Sequence, residues 1–495
     1  MQRWPGTLAL LLLCLALGPA SAQSPSPQAF VRAHRTVATQ NADAQASFDD
    51  GLTLLYAFNP EAARRSFERA AKLDPALAMA QWGIALSYGP NINTDYDAVK
   101  AHLGHTAILR AEALDGSAQS VERALIEAAA KRYAFDRPGD ADRSARAYAD
   151  AMRTVATAYS ADDDVQTLTA EAELDVTPWG YWSPDGKPGP ETLDIIARLK
   201  TVLARDPLHV GANHFLIHAV EESPHPEDGL DAAQRLAAMH FEPAAEHLTH
   251  MPAHIFAHVG DYDAAGLANE RAVASLKAYL ADGAADHGGY LGHDCLFGVY
   301  AFMMAGEYAR AKALASTCDN RAEADEVDYR FRHWSTLQTS SLDLERGAAD
   351  VAVGNLEDAQ RRLHSLTRVT DDRGKISVLL LTARIDAARG ERAGEISALQ
   401  TAVAVQDAFG YREPPQWWFP VRETLGGALF RAGKYAEAER VFRTDLVKNP
   451  QNPRSLFGLA KTLDREGQTA EAATVEHAFE TAWAQADAAL DMKDL

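Results

Sequence analysis

Gly51, Ala63, Phe67, Ala70 and Pro75 fall at the spacing of a helix–turn–helix unit of roughly 34 residues. In such a unit small residues let two helices cross closely, the aromatic fills the gap between them, and the proline ends the second helix. The pattern returns near the other end of the chain as Gly426, Gly433, Tyr435, Ala438, Phe442 and Pro450, and a further unit opens at Pro453 with Leu456, Leu459, Ala460, Leu463 and Gly467. Between them, Gly260–Ala265 and Gly306–Ala311 read as the turn and second-helix start of two more units. One such hairpin cannot bury its apolar face alone, so the units must stack. The expected fold is all-α, a right-handed superhelical solenoid with a concave inner face. β-branched runs are few and no segment has a strand period. Less regular helices are expected over Tyr96–Leu114, Ser120–Tyr133, Asp140–Tyr159 and Asp164–Asp175, and two or three more hairpins over Glu345–Thr401. Two turn-rich proline–aromatic loops, Thr177–Gly186 and Arg412–Trp418, interrupt them.

The first 22 residues read as a targeting segment. Arg3 is followed by an apolar run from Leu8 to Leu17 and by Ala20-Ser21-Ala22, a cleavage site of the A-x-A type. An exported protein, periplasmic or secreted, is expected, with Cys14 removed in processing. Residues 23–43 open with Ser-Pro-Ser-Pro and read as a flexible leader. The solenoid is then expected over 44–485 as one domain, with histidine-rich repeats at 208–310, near-consensus repeats at 419–485, and a tail at 486–495. No other stretch approaches the ~18 apolar residues of a membrane span. The formal net charge of −21 argues against nucleic acid and anionic lipid as partners and is compatible with cations, metal ions included.

Eleven of the 17 histidines lie between His209 and His293. His214 and His218 are four apart, with Glu221 and Glu222 on the next turn. His247, His250, His254 and His258 step by three, four and four, so each series shares a helix face. A lone helical histidine is usually solvated or structurally satisfied, and His34, His102, His105, His240, His287, His333, His364 and His477 are read so. There is no His-Glu-x-x-His, no Cys-x-x-Cys, no glycine-rich phosphate loop and no nucleophile elbow.

The repeat resembles the tetratricopeptide repeat. The resemblance implies that the first helix of each unit lines the groove through its positions 2, 5, 9, 12 and 13. With Gly260 set at position 15, His247, His250, His254 and His258 fall at 2, 5, 9 and 13; with Pro207 set at 32 of the preceding unit, His214, His218, Glu221 and Glu222 fall at 5, 9, 12 and 13; with Gly306 set at 15, His293 falls at 2. Three consecutive units therefore point imidazoles into one groove. Helices packed roughly 8–10 Å apart let side chains on neighbours share an ion. His214 with His250 and His218 with His254 are the pairs at equal height, and His247 and His293 complete one end. The expected ligands are His214, His218, His247, His250, His254 and His293, for one or two ions of Zn, Cu or Fe. Glu221 or Glu222 is expected as proton acceptor or oxygen ligand. Pro252 would break a continuous helix, so Thr249 is expected as its N-cap, with His247 on the turn before it. Cys295 and Cys318 fall at positions 4 and 27 of one unit and are expected to form a disulfide, the rival being Cys295 as a thiolate ligand beside His293.

Weaker candidates are Gly89–Asn93 at the groove mouth, Glu171 or Glu173 facing the groove, Trp179, Trp182, Trp417 and Trp418 as pocket floor or loop anchors, and Arg454 as a carboxylate clamp. The blocks around Phe48–Asn93, PWGYW, HFLIHAVEESPHPE, HLTHMPAHIF and EPPQWWFPVRETLGGALFRAG also resemble a functionally little-characterised family of bacterial tetratricopeptide-repeat proteins. The chain departs from that pattern at Leu296 and Pro60, where relatives tend to have histidine. Two functions are open at this stage. One is a metal-binding solenoid, possibly a metal-dependent enzyme acting on a small molecule or peptide. The other is a non-catalytic scaffold holding an extended peptide in the groove.

Overall fold

The computed structural model describes residues 30–114, 116, 118–133, 141–285, 289–318, 351, 354–367, 371–411 and 415–495. The 1–22 targeting segment, the start of the leader, His287, His333, the start of the Glu345–Thr401 stretch and Arg412–Pro414 lie outside the described residues. What is described is an α-solenoid: helices follow one another in antiparallel pairs, each packed on its sequence neighbours, and no strand occurs among the described residues beyond isolated bridges at Asn91–Thr94 and Trp182–Pro188. No described helix is long and apolar enough to cross a membrane.

The packing shows why glycine and phenylalanine recur. Phe67, on the Pro60–Leu73 helix, is wedged between the flanking helices at two glycines: a Cβ on Gly51 would sit 2.7 Å from its ring, and one on Gly83 2.5 Å. Phe442 meets Gly426 and Gly458 in the same way. Each phenylalanine is fully buried and fills the space the glycines leave. The buried apolar side chains form two clusters, one from Ala33 to Ala315 joined by Trp418 and Phe419, the other from Ala359 to Ala472 joined by Leu495.

Residues 30–41 carry no helix, and Ala33, Arg35 and Val37 among them are buried. Arg35 reaches Asp162 at 2.8 Å and Asp164 at 3.3 Å. At the other end, Arg431 donates to the Met492 and Leu495 backbone oxygens, each at 2.9 Å, so the 486–495 tail lies along the second cluster.

Cys295 and Cys318 are joined, with Cα atoms 6.1 Å apart, across the hairpin of Tyr290–Ala305 and Tyr308–Thr317. The bridge takes up the Cys295 sulfur and removes it as a ligand beside His293. A loop of this size contributes about 3 kcal/mol. Thiol titration of unfolded, unreduced protein should therefore find at most the Cys14 thiol; two further free thiols would refute the bridge.

Candidate metal centre

The histidines converge, in an arrangement different from the equal-height pairs. Two groups form: His214, His218 and His247, and His250, His254 and His293, the candidate ligand atoms of each lying within 4.8 Å of one another. Each group takes two histidines four apart in the chain, His214 and His218 from the Val210–Val220 helix and His250 and His254 from either side of the Met251 junction, and adds a histidine from a following helix. The reason is local geometry. Residues four apart on one helix already stand ~5–6 Å apart between Cβ atoms, closer than partners on neighbouring axes.

Pro252 also acts differently from expectation. Glu246–His250 and Pro252–Val259 are both helical, joined at Met251, which holds helical φ/ψ and is the N-cap; Thr249 lies inside the first piece. Proline costs little here because it is the first residue of the second piece, where its missing N–H has no helical duty. His247 therefore sits on a helical turn and reaches back to the Val210–Val220 helix.

Three of the imidazoles, His214, His218 and His250, are oriented by a hydrogen bond at Nδ1. His214 Nδ1 donates to the Tyr56 carbonyl at 2.6 Å, and His218 Nδ1 to Glu221 Oε1 at 2.8 Å. A carbonyl or carboxylate only accepts, so the hydrogen is on Nδ1 and Nε2 keeps its lone pair. Neither Nε2 has a hydrogen-bond partner, and neither has either nitrogen of His247. In the other group, His254 Nδ1 lies 2.7 Å from Glu221 Oε2. His250 Nδ1 lies 2.7 Å from Asn269 Oδ1 and 3.2 Å from Asp294 Oδ1. The Asn269 amide is fixed in that sense because its Nδ2 donates to the Ala265 carbonyl at 3.0 Å. The Nε2 atoms of His250 and His254 are then 2.8 Å apart, and that of His293 is 3.1 Å from His250.

Burial decides the charge states. His214 and His250 are 0% exposed, His218 and Glu221 1%. Burial, reinforced by neighbouring imidazoles, pushes His214, His247 and His250 well below the ordinary imidazole value. His218 is lowered by burial against the pull of Glu221, and burial takes His293 down to about 3. All are neutral near pH 7, the form that ligates metal. Burial alone would raise Glu221, but the His254 and His218 imidazoles outweigh it and hold the carboxyl well below its usual range. Glu222, half-buried, is pushed up to about 7 by burial and then by the Glu221 charge. Its Oε2 has no hydrogen-bond partner.

A cavity of about 650 Å³ opens onto His218, His247, His254 and His293. Asn91, Ile92 and Asn93 stand at it, as does Trp179, whose Nε1 donates to the Ile92 carbonyl at 2.9 Å. Phe58 stacks on His218 and His247 with ring centroids 5.8 and 5.4 Å away, and Tyr290 stacks on His247 at 4.7 Å. Phe58 and Trp179, both on this cavity, are two of three non-glycine residues with positive φ among the described residues. Such a backbone costs about 1–3 kcal/mol and tends to mark a functional site.

The other weaker candidates fall elsewhere. Trp182 Nε1 donates to the Ala219 carbonyl at 2.8 Å, and Trp418 packs on Phe297 and Tyr300. Glu173 is held by Arg153 at 2.8 Å, and Arg454 clamps an internal partner, Glu423, at 2.8 Å. His258 packs near Tyr411 outside both groups. Phe58, Asn269, Tyr290, Asp294 and Tyr411 were not singled out by the sequence. Tyr411, which donates to Glu221 Oε2 at 3.0 Å, is 190 residues away from it in the chain.

No family model matches the chain. A stretch of 61 residues is 41% identical to an uncharacterized protein of Aquifex aeolicus (strain VF5), covering 12% of this chain and only 8% of that relative. Among solved structures, the crystal structure of APC/C hetero-tetramer Cut9-Hcn1 aligns over 89% of this chain and 87% of that chain, at 12% identity and a TM-score of 0.30.

Proposed function

We propose that this chain is an exported solenoid that binds two transition-metal ions in its groove, one in the His214–His218–His247 triad and one in the His250–His254–His293 triad. The observation that carries the reading is the pair of Nε2 atoms of His250 and His254. They stand 2.8 Å apart, with Nε2 of His293 3.1 Å from that of His250, so three imidazoles aim a ring nitrogen at one point. Asn269 holds the His250 hydrogen on Nδ1, which leaves its Nε2 a lone pair to offer a cation. A tetrahedral ion about 2.0–2.1 Å from each of two imidazole nitrogens holds them about 3.3 Å apart, so the pair need open by only about half an ångström to take one. All-imidazole sets of this kind suit Zn, Cu or Fe.

Three protein ligands leave coordination positions open toward the 650 Å³ cavity. Chemistry there would be activation of water or oxygen on a small molecule or peptide. Glu222 is not among the residues that line the cavity, and Glu221 has both oxygens engaged and suits orientation of the imidazoles.

Thermal unfolding with and without EDTA tests the reading. An ion present at about 1,000 times its dissociation constant stabilises by about 4 kcal/mol, so chelation should lower Tm by several degrees and one metal should restore it. A melting curve indifferent to EDTA and to every added divalent metal would sink the proposal. It would favour the second reading, a peptide-holding scaffold, which has one observation on its side: Arg431 already holds an extended segment, the 486–495 tail, by its backbone oxygens.

A further inference from the structure

We infer that Glu221 is a positioning residue shared by both triads. The inference rests on the metal reading above. Glu221 closes the Val210–Val220 helix, its N–H bonded to the Ile217 carbonyl at 2.8 Å, so its backbone is fixed. Its carboxylate then divides between the triads. Oε1 takes the Nδ1 hydrogen of His218, at 2.8 Å, and Oε2 lies 2.7 Å from Nδ1 of His254. Tyr411 adds a hydrogen bond to Oε2 at 3.0 Å. One side chain thus orients a ligand of one triad by a hydrogen bond and places its charge 2.7 Å from Nδ1 of a ligand in the other, with both of its oxygens engaged.

Only a carboxylate can do this. An amide of the same shape offers one acceptor and one donor. Whichever way it lies, the imidazole facing its NH₂ group must present a lone pair at Nδ1 and move its hydrogen to Nε2. That nitrogen is the one aimed at the triad, so the ring ceases to be a ligand. Removing the side chain altogether leaves both rings free to turn, and partners of this kind are worth about 10–100-fold in metal affinity.

The test is a cobalt(II) titration of the full-length, metal-free chain, followed by absorption and by proton NMR. The wild-type chain should take up two ions and show exchangeable, hyperfine-shifted imidazole N–H resonances. Glu221→Ala should weaken both binding steps about 10–100-fold and remove or shift two of those N–H resonances, one from each triad. Glu221→Gln, which keeps the shape and thus the fold, should bind one ion in place of two. A Glu221→Ala chain altered at one site only, or a Glu221→Gln chain that binds two ions with wild-type affinity, overturns the inference while leaving the metal reading standing. A wild-type chain that takes up no cobalt overturns the metal reading and this inference with it.

Discussion

Metal-free protein brought from pH 7.5 to pH 4.5 should unfold cooperatively, most of its stability being lost between about pH 6.5 and pH 5. The cause is the stack of neutral imidazoles. His214, His218, His247 and His250 are buried, and each binds a proton less readily in the fold than in the unfolded chain, where the ordinary value near 6.5 applies. A histidine with a depressed folded value contributes fully above its unfolded value, and its contribution is lost as the pH falls from there toward the folded one. Each contributes up to about 1.4 kcal/mol per pH unit in that window, so four contribute about 5 kcal/mol per unit. A protein of ordinary net stability, about 5–15 kcal/mol, cannot lose that for long. The acidic groups facing the cluster are Glu221 from the end of the same helix and Asp294 beside His250, with the Tyr411 and Tyr290 hydroxyl-bearing rings against them. Glu221 stays ionised throughout the window, and its pull on the imidazoles is less than the effect of burial. Far-UV circular dichroism against pH, with proton uptake measured alongside, reads the result; a stability that is flat from pH 7 to pH 5 would show the imidazoles to be solvated. Added metal should move the transition to lower pH, because ion and proton compete for the same nitrogens.

The repeat was legible because its signature is steric. Gly51 and Gly426 follow from the close crossing of helices, since a Cβ at either would overlap the ring of Phe67 or Phe442. The clustered histidines were legible for a related reason: spacings of three and four on a helix put side chains on one face wherever the helix goes. The grouping of the ligands was not legible, because it depends on how Met251 and Pro252 join two short helices and on the offset between neighbouring axes. The orienting partners were hidden more deeply. Asn269, Asp294, the Tyr56 carbonyl and Tyr411 are ordinary residues in the sequence, and only the packing brings them to an imidazole nitrogen. Glu221 was legible as a functional residue, while its place between His218 and His254 required the two helices to be seen together.

The largest effect on metal content is expected from His250→Ala with His254→Ala. Elemental analysis of protein exported and purified from its native host, without a histidine tag or added chelator, should find one ion fewer per chain in the double variant than in the wild type. A full set of four protein ligands holds zinc with about 10–16 kcal/mol, a few kcal/mol for each. Two lost imidazoles therefore cost about 5 kcal/mol or more, over three orders of magnitude in affinity, and His293 alone cannot retain the ion through purification. The His214–His218–His247 triad keeps its three rings in this variant, so its ion should remain. Burying alanine where two imidazoles stood also leaves a cavity, which lowers stability without regard to metal. His258→Ala separates the two effects: it truncates a histidine from the same helix that lies outside both triads, and its metal content should equal the wild type's. Equal metal in wild type and double variant would remove the His250–His254–His293 triad from consideration. Loss of both ions from the double variant, with His258→Ala unaffected, would overturn the expectation that the first triad keeps its ion and would mean that the two triads fill only together.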